Sequence, residues 1–165
     1  MSDVTVEALP PLGMITLRGD LDTLGPAVTD VTGFARPDQR MRTEAGGHGC
    51  LWMSPDELLV TCDYDAAPGV AVRLTDALGD AFATVAVVSD ARAVFAVTGQ
   101  GAEAVLSRLV PVDFDRLAPT EVRRTRMAQI PAAIWREGEG WRVVCFRSVA
   151  VYAEGLLRNA VPIGA

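Results

Sequence analysis

The sequence has no lysine, one histidine, three cysteines and few aromatic residues, which make up 6% of its 165 positions. Each shortage narrows what the chain can do. With His48 as the only imidazole, a Ser-His-Asp relay would have to run through it, and no G-x-S-x-G elbow exists to partner it. Cys50, Cys62 and Cys145 are odd in number, lack C-x-x-C spacing and lie in apolar runs, so they read as reduced, buried thiols of a cytoplasmic protein. A zinc site needs four converging ligands, and beyond His48, Cys50 and Cys62 nothing has suitable spacing. All the basic residues are arginine, a bias from which no function follows. They total 15 against 21 acids, a net charge of −6 that argues against nucleic acid or an anionic membrane as the main partner. No apolar run reaches membrane-spanning length, and the opening "MSDVTVEALPPLG" has no signal-peptide pattern. A soluble cytoplasmic chain is expected.

What is present is apolar residue in quantity, half of the chain, enough for a sizeable core. A β-compatible run over 14–17 ends at Arg18-Gly19-Asp20, and residues 21–49, rich in Gly, Pro, Asp and Thr, read mostly as loop with short strands. Next, apolar runs at 50–53 and 58–62 surround the turn Ser54-Pro55-Asp56-Glu57, and a helix over 66–78 places Val70, Ala71, Leu74, Ala77 and Leu78 on one face before Gly79. The order hairpin then helix recurs. Runs at 85–88 and 93–97 flank Ser89-Asp90-Ala91-Arg92 and precede a helix over 100–109 that buries Ala102, Val105, Leu106 and Leu109. Strands at 129–136 and 141–146 flank Glu137-Gly138-Glu139-Gly140 and precede a helix over 149–160 that buries Val149, Tyr152, Ala153, Leu156 and Leu157. Three such ββα units predict an α+β fold of antiparallel sheets with helices on one face. Two small lobes are expected, 1–80 and 81–165, packed as one compact unit, with a hinge near 79–84 and a charged connecting loop over 110–125.

Gly99-x-Gly101-x-x-Ala104, in "VTGQGAEAVL", fits the spacing of a dinucleotide-binding turn. Such a turn must leave a parallel strand and open a helix within a βαβ unit. Here the preceding strand is the expected second arm of a hairpin, and "VPVDFDRLAPTE" is a poor buried parallel strand, so the glycines read as a sharp strand-to-helix turn. The carboxylate pairs Asp56/Glu57 and Asp113/Asp115 are turn and loop acids, the first pointing to opposite sides if strand-like. Trp135 and Trp141 read as a pair facing across their hairpin. No catalytic, cofactor-binding or metal-ligating residue is assigned. The candidate partner contacts are Trp52, beside the "SPDE" turn, and Arg123, Arg124 and Arg126 in "EVRRTRMA".

Several segments in order, "LRGD" (17–20), "LWMSPDELLV" (51–60), "VVSDARAVFAVTGQGAEAVL" (87–106), "TRMAQIPAAIW" (125–135) and "RSVAVY" (147–152), resemble as a set the gamma subunit family of heterotetrameric sarcosine oxidase. That family is in turn similar to the folate-binding, aminomethyltransferase-like fold of the glycine-cleavage T-protein, where a strand-turn-strand-glycine-helix passage like that of 88–106 is usual. The resemblance implies a flavoenzyme complex that oxidises sarcosine to glycine, releases hydrogen peroxide and passes a one-carbon unit to tetrahydrofolate. It implies alpha, beta and delta subunits as partners, which hold FAD, FMN, NAD, tetrahydrofolate and zinc, and a non-catalytic role in assembly for this chain. The isolated chain could then self-associate as a homodimer to cover its interface. The alternative is a free-standing folate-like binder, with the arginines near Arg124 holding an anionic ligand in a groove between the lobes.

Overall fold

The computed structural model describes residues 3–162. Among these, the chain runs β1 (Thr5–Ala8), β2 (Gly13–Arg18), α1 (Leu21–Thr32), β3 (Arg42–Ala45), β4 (His48–Ser54), β5 (Glu57–Cys62), α2 (Ala67–Leu78), β6 (Thr84–Val87), β7 (Arg92–Thr98), α3 (Ala102–Ser107), β8 (Val122–Met127), β9 (Ile130–Glu137), β10 (Gly140–Phe146) and α4 (Ala150–Ala160). The strands form two five-stranded antiparallel sheets, in the orders β3-β4-β5-β2-β6 and β1-β7-β10-β9-β8. Each sheet belongs to one compact unit: residues 11–89, or, among the described residues, 90–162 with 3–10. The boundary follows strand pairing, since β6 is an edge of the first unit's sheet through β2, and β1 an edge of the second unit's sheet through β7. The expected hinge at 79–84 lies inside the first unit.

In the first unit, period-two alternation sends Ile15, Leu17, Cys50, Leu58 and Val60 to one face, where they meet Leu21, Leu24 and Val28 of α1 and Val70 and Leu74 of α2. On the opposite face Met14, Leu51, Leu59 and Thr61 are buried as well. Helix α1 corrects the expected loop. Asp20 caps it, its carboxylate accepting the Asp22 N–H at 2.8 Å, and Gly33 ends it in a left-handed conformation with its N–H bonded to the Thr29 carbonyl at 2.9 Å. Pro26 within the helix is exposed, so its ring stays out of the core. Helix α2 buries Val70 and Leu74 as expected, while Ala77 is exposed.

In the second unit, Phe95, Val97, Ile134, Trp141 and Val143 pack with Ala102 and Leu106 of α3 and Ala153 and Leu157 of α4. Val94, Ala96, Ala133, Trp135 and Val144 are buried on the other face of the sheet. The expected hairpin of 85–88 with 93–97 does not form: β6 pairs with β2, β7 pairs with β1 and β10, and a short 3-10 turn at Ser89–Ala91 joins them. The segment taken as a connecting loop ends in an edge strand, β8, paired with β9. Helix α4 leaves Tyr152 exposed, against the expected buried face. No helix among the described residues is long and apolar enough to cross a membrane.

Candidate functional site

The glycine turn has a local physical cause. Strand β7 is antiparallel to both neighbours, and at Gly99 (φ 101°) the chain turns toward α3, with the Ala102 N–H bonded to the Gly99 carbonyl at 3.0 Å. A Cβ at Gly99 would sit 1.5 Å from the Asp3 carbonyl oxygen, so glycine is what lets the segment leading into β1 pass over the turn. Helix α3 has six residues and, among the described residues, no parallel strand follows it, so the βαβ unit of a pyrophosphate site is not built there.

The three candidate arginines lie on β8, an outer strand of its sheet. Register puts Arg124 opposite Ala133, on the face away from the helices, and Arg126 follows on that face. Both are exposed. Arg123 points the other way, opposite Ile134, and its Nη1 donates to Glu121 Oε1 at 3.0 Å. Two of the three therefore share one face. Trp52, half-buried on β4, packs against the first unit's core.

His48 begins β4 rather than lying in a loop, and its Nε2 is 3.1 Å from Asp63 Oδ1. Burial pushes the Cys50 thiol up to about 12, and raises Cys62, helped by the nearby Asp63 carboxylate. Cys145 is also raised by burial, against the opposing pull of Arg147 and Arg92. These thiols are held protonated, the opposite of nucleophile activation. Among the described residues no three His, Cys, Asp or Glu side chains gather as metal ligands. Trp135 and Trp141 do not face each other. Trp135 is opposite Arg142, so the two indoles lie on opposite faces of the sheet, and Trp141 instead meets Phe114 edge to face at 4.9 Å between ring centroids. Asp113 and Asp115 flank that buried Phe114.

Around β2 the structure brings together segments far apart in sequence. The Gly19 N–H donates to the Asp56 carbonyl at 3.0 Å, and Arg18 Nη2 lies 3.1 Å from Glu57 Oε2 and 3.8 Å from Asp56 Oδ1. One guanidinium reaches both carboxylates, so Asp56 and Glu57 are not split to opposite sides. Beside this joint is an open cleft of about 800 Å³, lined by Asp20, Asp22, Thr23, Arg36, Asp56 and Phe82 among others. Arg36 is ion-paired with Asp22. Phe82 is 103% exposed. Nothing in the sequence singles this residue out, because a lone aromatic in "GDAFAT" has no periodicity to place it.

A comparable joint exists in the second unit. Arg147 Nε and Nη2 donate to the carbonyls of Asp90 and Arg92 at 3.0 and 2.6 Å, and the Arg92 guanidinium lies 4.3 Å from the Phe146 ring centroid. Phe146, Val151 and Tyr152, exposed by 44%, 87% and 52%, give this end of α4 an apolar surface.

No family model matches the chain. The sarcosine oxidase subunit gamma of Corynebacterium sp. (strain U-96) is 30% identical over 139 residues, covering 81% of this chain and 65% of that protein. The chain thus spans just under two thirds of the length of that relative. Among solved structures, a chain of the heterotetrameric sarcosine oxidase from Corynebacterium sp. U-96, in complex with pyrrole 2-carboxylate, matches with a TM-score of 0.87 and 26% identity, over 96% of this chain and 83% of that one. Aminomethyltransferase T of the glycine cleavage system from Bartonella henselae matches 94% of this chain and 45% of its own, with a TM-score of 0.67 and 12% identity, a likeness of fold alone. With two antiparallel sheets, their helices and the motif joints in place, the chain is similar to sarcosine oxidase gamma subunits over most of its length.

Proposed function

We propose that this chain is a non-catalytic gamma subunit of a heterotetrameric sarcosine oxidase, acting in assembly and stability of the complex. The observation that carries the reading is the match of 96% of this chain to a chain of a heterotetrameric oxidase, at a TM-score of 0.87 and 26% identity. The chemistry of the side chains agrees with it. The single imidazole is engaged by Asp63, and the three thiols are all pushed upward by burial. Phe82, Val151 and Tyr152 are large apolar groups left in water, the kind of surface an obligate partner covers.

On this reading the partners are the alpha, beta and delta subunits, and the parent reaction is oxidative demethylation of sarcosine to glycine, with hydrogen peroxide and 5,10-methylenetetrahydrofolate as the other products. FAD, FMN, NAD, tetrahydrofolate and zinc belong to those other subunits, and the complex works in the cytoplasm. Trp52, Arg124 and Arg126 are proposed partner contacts, and Arg123 contributes less because Glu121 already engages it. The test is capture of the tagged chain from its host grown on a methylated amine. A yellow complex with a large flavoprotein and sarcosine-dependent peroxide release is the expected result. A colourless protein recovered alone overturns the reading, and tight folate binding by that lone chain would move it to the binder class.

A further inference from the structure

We infer that the cleft beside β2 is a docking site for a basic segment of the flavoprotein subunit, with the Phe82 ring inserted into an apolar socket of that segment. This rests on the subunit reading above and names the surface and the chemistry that serve it.

Phe82 is exposed because the backbone holds it there. The turn that carries it is fixed at its start by Gly79 N–H to Thr75 carbonyl and Ala81 N–H to Leu78 carbonyl bonds of 3.1 and 3.0 Å. It is backed by Gly19, where a Cβ would come within 3.1 Å of the Phe82 carbonyl oxygen and 3.3 Å of the Ala83 Cβ. Within the chain the ring therefore has no packing role, although a phenylalanine buries some 150 to 250 Å² when it finds a pocket. A rigidly presented aromatic is a good anchor, since little ordering is left to do on binding.

The surroundings give the sign of the partner. Asp20, Asp22 and Asp56 line the cleft with Arg36, which is committed to Asp22, and the neighbouring Arg18 is shared between Asp56 and Glu57, so carboxylates outnumber guanidinium groups around it. The Asp20 carboxylate accepts the Asp22 N–H at the start of α1, where the helix dipole favours a negative charge. The Asp56 carboxylate lies at the surface, between Ser54 Oγ at 2.5 Å and Arg18 at 3.8 Å. An excess of carboxylate around an apolar anchor selects arginine or lysine around an apolar socket, and disfavours an acidic segment by repulsion. The cleft is open to solvent rather than a cavity that encloses a metabolite, which fits a polypeptide partner.

The experiment uses the alpha, beta and delta subunits of the same host, purified as a complex, and measures the affinity of this chain for them by interferometry at low and high salt. Phe82→Ala is expected to weaken binding by about tenfold or more, as loss of an interface anchor does. Its melting temperature should stay unchanged, because the ring touches nothing in the free chain. Asp56→Asn should lower affinity by roughly two- to fivefold and reduce its salt dependence. A photo-crosslinker at position 82 should attach to a peptide of the flavoprotein that contains arginine or lysine. Affinity of Phe82→Ala within twofold of the parent chain, while the parent chain binds, overturns the docking site and leaves the subunit reading standing. So does a crosslink to a peptide without a basic residue, or a loss of affinity produced only by Val151→Ser on α4. Failure of the parent chain to bind at all removes the subunit reading, and the docking site with it.

Discussion

Replacing Gly99 by alanine separates the two meanings of the glycine turn. The structure places Gly99 at φ 101°, a backbone region that costs an L-residue about 1 to 3 kcal/mol. It also places the Asp3 carbonyl oxygen 1.5 Å from the new Cβ, a clash that only backbone movement relieves. The least costly movement lifts residues 3–4 from the turn and gives up the packing of Val4 on the second unit's core, about another 1 kcal/mol for a partly buried valine. The total is about 2 to 4 kcal/mol, or a fall in Tm of roughly 5 to 15 °C for a chain of this size. Gly138→Ala is the control. Gly138 has φ 58° but open space around it, so the substitution carries backbone strain alone, about 1 to 2 kcal/mol. Urea titration of both variants, with hydrogen exchange at the amides of β1, gives the difference directly. The expected result is a larger loss for Gly99→Ala, with faster exchange in β1. Equal losses, or a stable Gly99→Ala protein with protected β1 amides, would refute the close-approach argument.

Asp20→Ala removes the cap of α1 and should cost about 0.5 to 2 kcal/mol, seen as a lower urea midpoint. Phe114→Ala deletes the ring that meets Trp141 edge to face and should cost about 3 to 5 kcal/mol, with a red shift of tryptophan emission as the indole meets water. The pH dependence above 9 should carry the Cys50 signature. Its folded value is about 12 against an ordinary 9, so the neutral thiol's contribution is complete below pH 9 and is lost progressively as pH rises toward 12. Denaturant titrations across that range should show a steeper fall for the parent chain than for Cys50→Ala, and native Cys50 should resist alkylation at pH 8.

What could be read from the sequence was local. The apolar runs of β4 and β5, the strands β9 and β10, the turns between them and most of the apolar faces of α2 and α3 all depend on neighbours a few residues away, and the structure has them. Helix α1 was hidden by Gly25-Pro26, two residues that read as breakers. Yet Leu21, Leu24 and Val28 keep helical spacing behind an Asp20 cap, and the proline ring faces outward. Partner choice was not legible at all. The passage from β6 to β7 has the composition of a hairpin, but its strands join different sheets because β2 and β10 offer them partners more than 40 residues away. The tryptophans were misplaced for a simpler reason: register pairs Trp135 with Arg142, and a one-residue offset changes the face of a side chain. Phe82 shows the limit most clearly, since exposure of one aromatic is a property of the finished surface.

The motifs that carried the family resemblance hold the fold more than they offer chemistry. "LRGD" and "SPDE" are joined by the Gly19 to Asp56 backbone bond and by Arg18 reaching Glu57. "SDAR" and "RSVAVY" are joined by Arg147 donating to the carbonyls of Asp90 and Arg92. In both joints a charged side chain or a tight backbone contact ties the end of one strand to a turn distant in sequence, and the polar groups are spent inside the unit. Side chains so committed are poorly placed to receive a substrate, yet they fix the positions of what lies next to them. Beside the first joint stands Phe82, and beside the second stand Phe146, Val151 and Tyr152. In both places exposed apolar side chains lie next to polar groups already paired within the unit.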